Sequence, residues 1–224
     1  MDIRIESLIE GAAQASGAVA MIDLFRAFTT AAVAFANGAT RITMVASVEE
    51  ALELCERGVG QICVGDEGFD FGNSPYELSK VDLSGVAIIQ RTSAGTQGIT
   101  TAAKGAQHMF AASLVTVSAT AQALRLIAND RITLVAMGEN GRQRSSEDEI
   151  CALYLRNLLE GRRGNPEAAR QMILSGGEVA KFDDVNRPWL IPDDVPFALD
   201  IDRYDFAIKV AIEDSYPVAR KFEA

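Results

Sequence analysis

Short uninterrupted apolar runs alternate with stretches of helical periodicity through the first two-thirds of the chain. Residues 18–22 read as a buried strand and 27–36 as a helix. Further strands are expected at 42–45, 62–64, 86–89 and 132–136, with a short one at 109–111. Helices are expected over 48–57, 97–104, 115–128 and 147–159. Apolar strands without polar alternation, separated by helices, predict an α/β fold: a three-layer αβα arrangement with a largely parallel or mixed sheet covered on both faces. The apolar stripes of the helices at 115–128 and 147–159 belong to its core.

The last third has a different character. A break at 161–165 precedes a helix at 166–174, and Gly176-Gly177 precedes a short helix at 178–185. Pro188, Pro192 and Pro196 make residues 187–205 a long ordered loop. Residues 206–212 predict a last strand, antiparallel at a sheet edge. No low-complexity linker and no internal repeat interrupts the pattern. The expectation is one compact unit over 1–224, with two similar subdomains meeting near 105–115 as its variant.

Composition narrows the function. The chain is 48% apolar and 23% charged, which excludes a disordered protein. No apolar run approaches the ~18 residues of a membrane helix. Residues 1–6 place no basic segment before an apolar one, so no signal peptide is expected. The 21 basic and 31 acidic residues give a net charge of −10, which repels nucleic acid and anionic lipid. Neither is an expected partner. An anionic substrate must therefore be attracted locally, by a metal, by arginines or by helix N-termini. Cys55, Cys63 and Cys151 show no CxxC spacing, and they suit a reducing cytoplasm as small buried hydrophobes. The single histidine, His108, excludes a multi-histidine zinc site and reads as a packed or capping group.

Ligands of open α/β sheets bind beyond the carboxyl ends of strands. Four such loops carry candidate chemistry. The first, Asp23-Leu24-Phe25-Arg26-Ala27-Phe28-Thr29-Thr30, offers a carboxylate for a hard cation and a guanidinium for an oxyanion. Thr29 and Thr30 add donors at a helix start. The same residues also read as helix capping, with Arg26 as the surface partner of Asp23. The second runs from Gly65 to Pro75. It clusters Asp66, Glu67 and Asp70, which repel one another unless a cation intervenes. It ends in Gly72-Asn73-Ser74-Pro75, with Ser74 placed to cap a helix. Phe69 and Phe71 argue against a merely solvated acidic turn.

The third loop, Arg91-Thr92-Ser93-Ala94-Gly95-Thr96-Gln97-Gly98, holds a guanidinium, three hydroxyls and two glycines without an acid. That composition suits an oxyanion cradle or, equally, a Ser/Thr-rich helix cap. It lacks the lysine of a P-loop, and no GxGxxG follows the first strand. The fourth, from Gly138 to Glu149, turns at Asn140-Gly141. Its Ser145 or Ser146 can form a capping box with Asp148 or Glu149. Glu147, Asp148 and Glu149 there read as complements of the helix dipole.

Taken in order, these loops resemble the 2-phosphosulfolactate phosphatase family. Gly68-Phe69-Asp70-Phe71-Gly72-Asn73-Ser74-Pro75 is similar to that family's GFDLGNSP signature. The segment from Asp23 to Thr30, Asn37-Gly38-Ala39, and Ser145-Ser146-Glu147-Asp148 resemble further family segments. The resemblance spans residues 18–155. It implies a Mg²⁺-dependent hydrolase that removes phosphate from 2-phosphosulfolactate on the route to coenzyme M. It also implies Asp23 and Asp66 at the metal, with Asp70, Glu147 or Asp148 as further candidates, and Asp23, Arg26 and Asp70 in catalysis. Thr29, Thr30, Asn73, Ser74 and Arg91, with the loop Thr92, Ser93, Ala94, Gly95 and Thr96, would hold the substrate's anionic groups. Three features depart from the family pattern: the Arg91–Thr96 stretch, Asp66 in place of a common Glu, and a shorter chain before Gly68. A non-catalytic protein that binds a small anion is the rival reading. The last third, with Trp189, offers a homodimer interface.

Overall fold

The computed structural model describes residues 1–65 and 68–223. Its described strands are β1 (Asp2–Ser7), β2 (Gly17–Ile22), β3 (Arg41–Met44), β4 (Ile62–Val64), β5 (Ala87–Gln90), β6 (Ala106–Ala112), β7 (Arg131–Ala136), β8 (Ala207–Glu213) and β9 (Tyr216–Phe222). The helices are α1 (Leu8–Gln14), α2 (Ala27–Ala36), α3 (Val48–Glu56), α4 (Pro75–Leu78), α5 (Gly95–Ala102), α6 (Val117–Ile127), α7 (Ser146–Leu159), α8 (Pro166–Leu174) and α9 (Asp194–Ala198). The strands join in one mixed sheet of order β1-β7-β2-β6-β8-β9-β3-β5-β4. Its flanks are parallel: β1, β7, β2 and β6 on one side, β3, β5 and β4 on the other. The antiparallel hairpin β8–β9 lies between them. The flanks are not sequential in the chain, because β6 and β7 return to the side of β2.

Strand β2 shows why the apolar runs are uninterrupted. Val19 and Met21 face a core shared with α2 and α5 through Phe28 and Ile99. Ala18, Ala20 and Ile22 face the opposite core, shared with α6, α7 and α8 through Leu124, Leu155 and Ile173. Alternate side chains therefore enter two different cores, and neither face meets water. A third, smaller core packs Ala51 and Leu54 of α3 against Val45, Cys63 and Ile89. The layers are helix, sheet and helix, as the sequence pattern predicts. No helix among the described residues is long and apolar enough to cross a membrane.

Three expectations need correction. Strand β8 is central rather than an edge, because it pairs with β6 and β9. Strand β9 follows β8, which the sequence reads as the last strand, and the β1–α1 unit precedes the first strand expected. β1 alternates Asp2, Arg4 and Glu6 with Ile3 and Ile5, the pattern of an edge strand that pairs only with β7. Cys55 and Cys63 form a disulfide between α3 and β4, while Cys151 is free and buried. Cys63 and Cys151 are buried as expected, but Cys151 alone of the three is a free thiol. Cysteine usage therefore no longer argues for a reducing compartment.

Candidate active site

A cavity of about 810 Å³ opens where the loops after β2, β4, β5 and β7 meet the segment that follows α8. Asp23, Arg26, Asn73, Ser74, Arg91, Thr92, Ser93, Ala94 and Glu147 all line it. Sequence positions up to 124 residues apart thus converge, as the strand-end rule predicts.

Asp23 anchors the site. It follows β2, is buried, and accepts the Ala27 N–H at 3.1 Å. Its carboxylate also takes the Gly95 N–H, so it joins the N-termini of α2 and α5. Gly95 is needed for this approach. A Cβ there would lie 2.9 Å from Asp23 Oδ2 and 2.8 Å from Ala27 Cβ. Burial raises Asp23 to about 6, against the hydrogen bonds from Ala27 and Gly95 and the charge of Arg26. The capping expectation is therefore half right. Asp23 does cap α2, but Arg26 is no surface partner.

Arg26 is buried, and its Nη1 pairs with Asp194 Oδ2 at 2.5 Å and donates to the Trp189 carbonyl at 3.0 Å. The peptide bond before it, Phe25–Arg26, is cis. Thr29 and Thr30 are buried and do not line the cavity. Thr29 Oγ1 donates to the Leu24 carbonyl and Thr30 Oγ1 to the Asn73 carbonyl, so these hydroxyls fix loops rather than face a ligand.

In the second loop, Asp66 lies outside the described residues. Asp70 is exposed, and its Oδ2 accepts the Cys63 N–H at 2.7 Å. It ties the loop to β4 and is not a cavity residue, which corrects its expected catalytic and metal roles. Phe69 and Phe71 pack against two of the cores, which accounts for their place in an acidic turn. Ser74 caps α4 as predicted, accepting the Glu77 N–H at 3.1 Å, and donates to Asp194 Oδ1 at 2.6 Å. Asn73 Oδ1 is buried without a partner among the described residues.

The third loop is braced from within. Thr92 N donates to Thr96 Oγ1 at 2.9 Å, and Thr96 N to Thr92 Oγ1 at 3.2 Å. Thr96 is fully buried and does not reach the cavity. The Gly95 N–H goes to Asp23 instead of an oxyanion. Arg91 donates from Nε to the Ala46 carbonyl at 3.3 Å. The cradle reading is thereby reduced to Arg91, Thr92, Ser93 and Ala94.

The fourth loop holds two buried acids. Asp148 accepts the Leu24 N–H and the Gly138 N–H, each at 2.8 Å, which staples the loops after β2 and β7 together. Burial raises its carboxyl well above the usual range, reinforced by the charges of Asp23 and Glu147. Asp148 is not a lining residue. Glu147 is, and burial raises it to about 7. Its Oε2 is buried with no partner among the described residues. Ser145 makes no side-chain cap, so the expected capping box is absent. Glu149 accepts from Ser7 Oγ at 2.6 Å.

These shifts fix the pH dependence of stability. A carboxyl whose folded pKa is raised binds its proton more tightly in the folded state. Its contribution is complete below about pH 4 and is lost as pH rises through about 6 for Asp23 and about 7 for Glu147. Each loss is worth about 3 kcal/mol. Exposed acids held low, such as Glu213 beside Arg220, act in the opposite sense but are screened by solvent. The metal-free protein is expected to melt on the order of 10 °C lower at pH 8 than at pH 5. Calorimetric melts across that range check this, and a melting temperature that rises with pH contradicts it.

Sequence reasoning missed Asp194, Glu139, Glu178 and Lys181. Lys181, in the segment after α8, pairs with Glu139 of the loop after β7 at 3.0 Å and with Glu178, and all three line the cavity. The only signal for Asp194 was an acid embedded among Leu190, Ile191, Val195 and Phe197.

The 2-phosphosulpholactate phosphatase family model matches residues 3–183. A Bacillus subtilis protein is 31% identical over 212 residues, covering 90% of each chain. A Thermotoga petrophila protein is 38% identical over 138 residues, covering 59% of this chain and 58% of its own. A Thermus thermophilus protein is 32% identical over 130 residues, covering 55% and 54%. Each carries the name probable 2-phosphosulfolactate phosphatase. The matched stretch contains Asp23, Arg26, the Gly72–Ser74 turn, Arg91 and Glu147, and with so much of the sequence aligned the chain belongs to the 2-phosphosulpholactate phosphatase family of phosphoric monoester hydrolases.

Proposed function

We propose that this chain hydrolyses the phosphomonoester of 2-phosphosulfolactate in a Mg²⁺-dependent reaction, giving sulfolactate and phosphate. The observation that carries the reading is the buried Asp23 carboxylate, held by two helix N-termini beside Arg26 in one cavity. The names of the relatives support the substrate.

The donor set suits magnesium. That ion takes one or two carboxylates, keeps several waters and binds substrate phosphate. Asp23 and Glu147 line the cavity with raised pKa values, and Glu147 Oε2 is buried and unpartnered among the described residues. A divalent cation compensates such acids. Asp23 and Glu147 are the residues proposed to hold it, with Asp66 as a third. When bound, the ion neutralises phosphoryl oxygens and polarises the phosphorus centre.

The chain's own residues do the rest. The Arg26 fork grips phosphate, and Arg91 supplies further positive charge for the substrate's carboxylate and sulfonate. Asp148 keeps the Asp23 and Gly138 loops in register. The net reaction consumes one water and cleaves the ester P–O bond, one proton of that water ending on the leaving oxygen and its hydroxyl on phosphorus.

The test is turnover of 2-phosphosulfolactate by chelator-treated protein. Added Mg²⁺ is expected to raise the rate by about 10²-fold, and to restore the melting temperature lost at pH 8. Turnover unchanged by chelator defeats the metal dependence. No turnover across a panel of phosphomonoesters, with metal present, defeats the phosphatase reading. Phosphate binding without turnover, indifferent to Mg²⁺, identifies the silent anion binder instead.

A further inference from the structure

We propose that Asp194 is the positioning residue for Arg26, aiming its guanidinium at an oxyanion from outside the four loops. The proposal rests on the reading of Arg26 as a phosphate ligand. Asp194 belongs to α9, in the segment after α8, and lies beyond the residues matched by the family model. It is fully buried. Each of its oxygens has a separate task. Oδ2 takes Arg26 Nη1 at 2.5 Å, while Oδ1 takes Ser74 Oγ at 2.6 Å and the Tyr76 N–H at 3.1 Å. One carboxylate therefore fixes the first and second loops against the same wall.

The geometry at Arg26 gives this clamp its consequence. Asp194 and the Trp189 carbonyl both engage Nη1. The opposite edge of the guanidinium, formed by Nε and Nη2, has no hydrogen-bond partner among the described residues. That edge carries two parallel N–H donors, the arrangement that grips an oxyanion bidentately. The Phe182 ring lies 5.9 Å from the guanidinium carbon and adds a second constraint. A free arginine side chain would lose rotamer entropy on binding, whereas a clamped one has already lost it. A buried ion pair is by itself weak evidence of stabilisation. This one joins a cavity-lining arginine to a wall and leaves its anion-gripping edge open.

Inorganic phosphate is the probe. Trp189 is the single tryptophan of the chain, and its carbonyl touches Arg26, so its emission reports binding. Calorimetry gives the same affinity independently. Asp194→Asn keeps the shape and loses the charge, and is expected to weaken phosphate binding about tenfold. Arg26→Gln weakens it at least as much. If Asp194 acts through Arg26, adding Asp194→Asn to Arg26→Gln brings less than about a twofold further loss. An equal loss in both backgrounds, or wild-type affinity in Asp194→Asn, overturns the proposal. Should Asp194→Asn fail to fold, Asp194→Glu displaces the guanidinium by one methylene. Weakened binding then supports the proposal, and wild-type affinity overturns it. Turnover of phosphoester by a protein that binds no phosphate overturns this inference and leaves the phosphatase reading intact. Coupled phosphate binding without turnover does the reverse.

Discussion

Replacing Asp23 with asparagine is expected to lower turnover by about 10³-fold or more while the protein stays folded. The two effects separate because Asp23 does two things. Its carboxylate accepts N–H groups from Ala27 and Gly95, and its charge sits in a buried place. Asparagine keeps one oxygen for the helix N-termini. It loses the charge, which relieves a desolvation cost, and it loses one acceptor, which costs about as much. The melting temperature at pH 8 should therefore stay within about 5 °C of wild type. Steady-state kinetics with saturating Mg²⁺, beside a melt, checks both halves. Activity within tenfold of wild type shows that Asp23 is a capping residue and nothing more.

Replacing Arg26 with lysine should lower kcat/KM by about 10²-fold despite the conserved charge. Lysine can pair with Asp194 or reach the anion, but its point charge has no second edge for doing both. Substitution by alanine should add a stability loss of about 3–5 kcal/mol, because it leaves Asp194 buried without its cation. Removing Asp194 together with Arg26 should recover most of that loss. Urea unfolding of the single and double variants reads this directly. Equal stability of Arg26→Ala and wild type would show that Asp194 has other compensation.

The chain's local patterns disclosed a good deal of this. Helix α2 is legible to the residue, because Asn37-Gly38 closes an apolar run that starts at a strand end. Asp23 and Glu147 were legible as acids at strand ends and helix starts. The directions of short side chains were not. Thr29 and Thr30 sit in the right loop but turn their hydroxyls to Leu24 and Asn73 carbonyls, a choice set by tertiary packing. Asp70 likewise looks like a ligand until β4 claims it. Asp194 was illegible for a different reason. Its meaning lies in a contact 168 residues away in sequence, and nothing in its neighbourhood announces that partner. The central place of β8 and β9 was hidden similarly, since sheet order is a non-local property.

The hairpin at residues 207–222 has a consequence for biosynthesis. It is the piece that joins two sets of parallel strands, yet it follows both sets in the sequence. Until it leaves the ribosome, β6 and β3 each present a bare row of backbone donors and acceptors. Both rows stay unpaired until the hairpin folds between them, which leaves the growing chain open to strand-to-strand association over that interval.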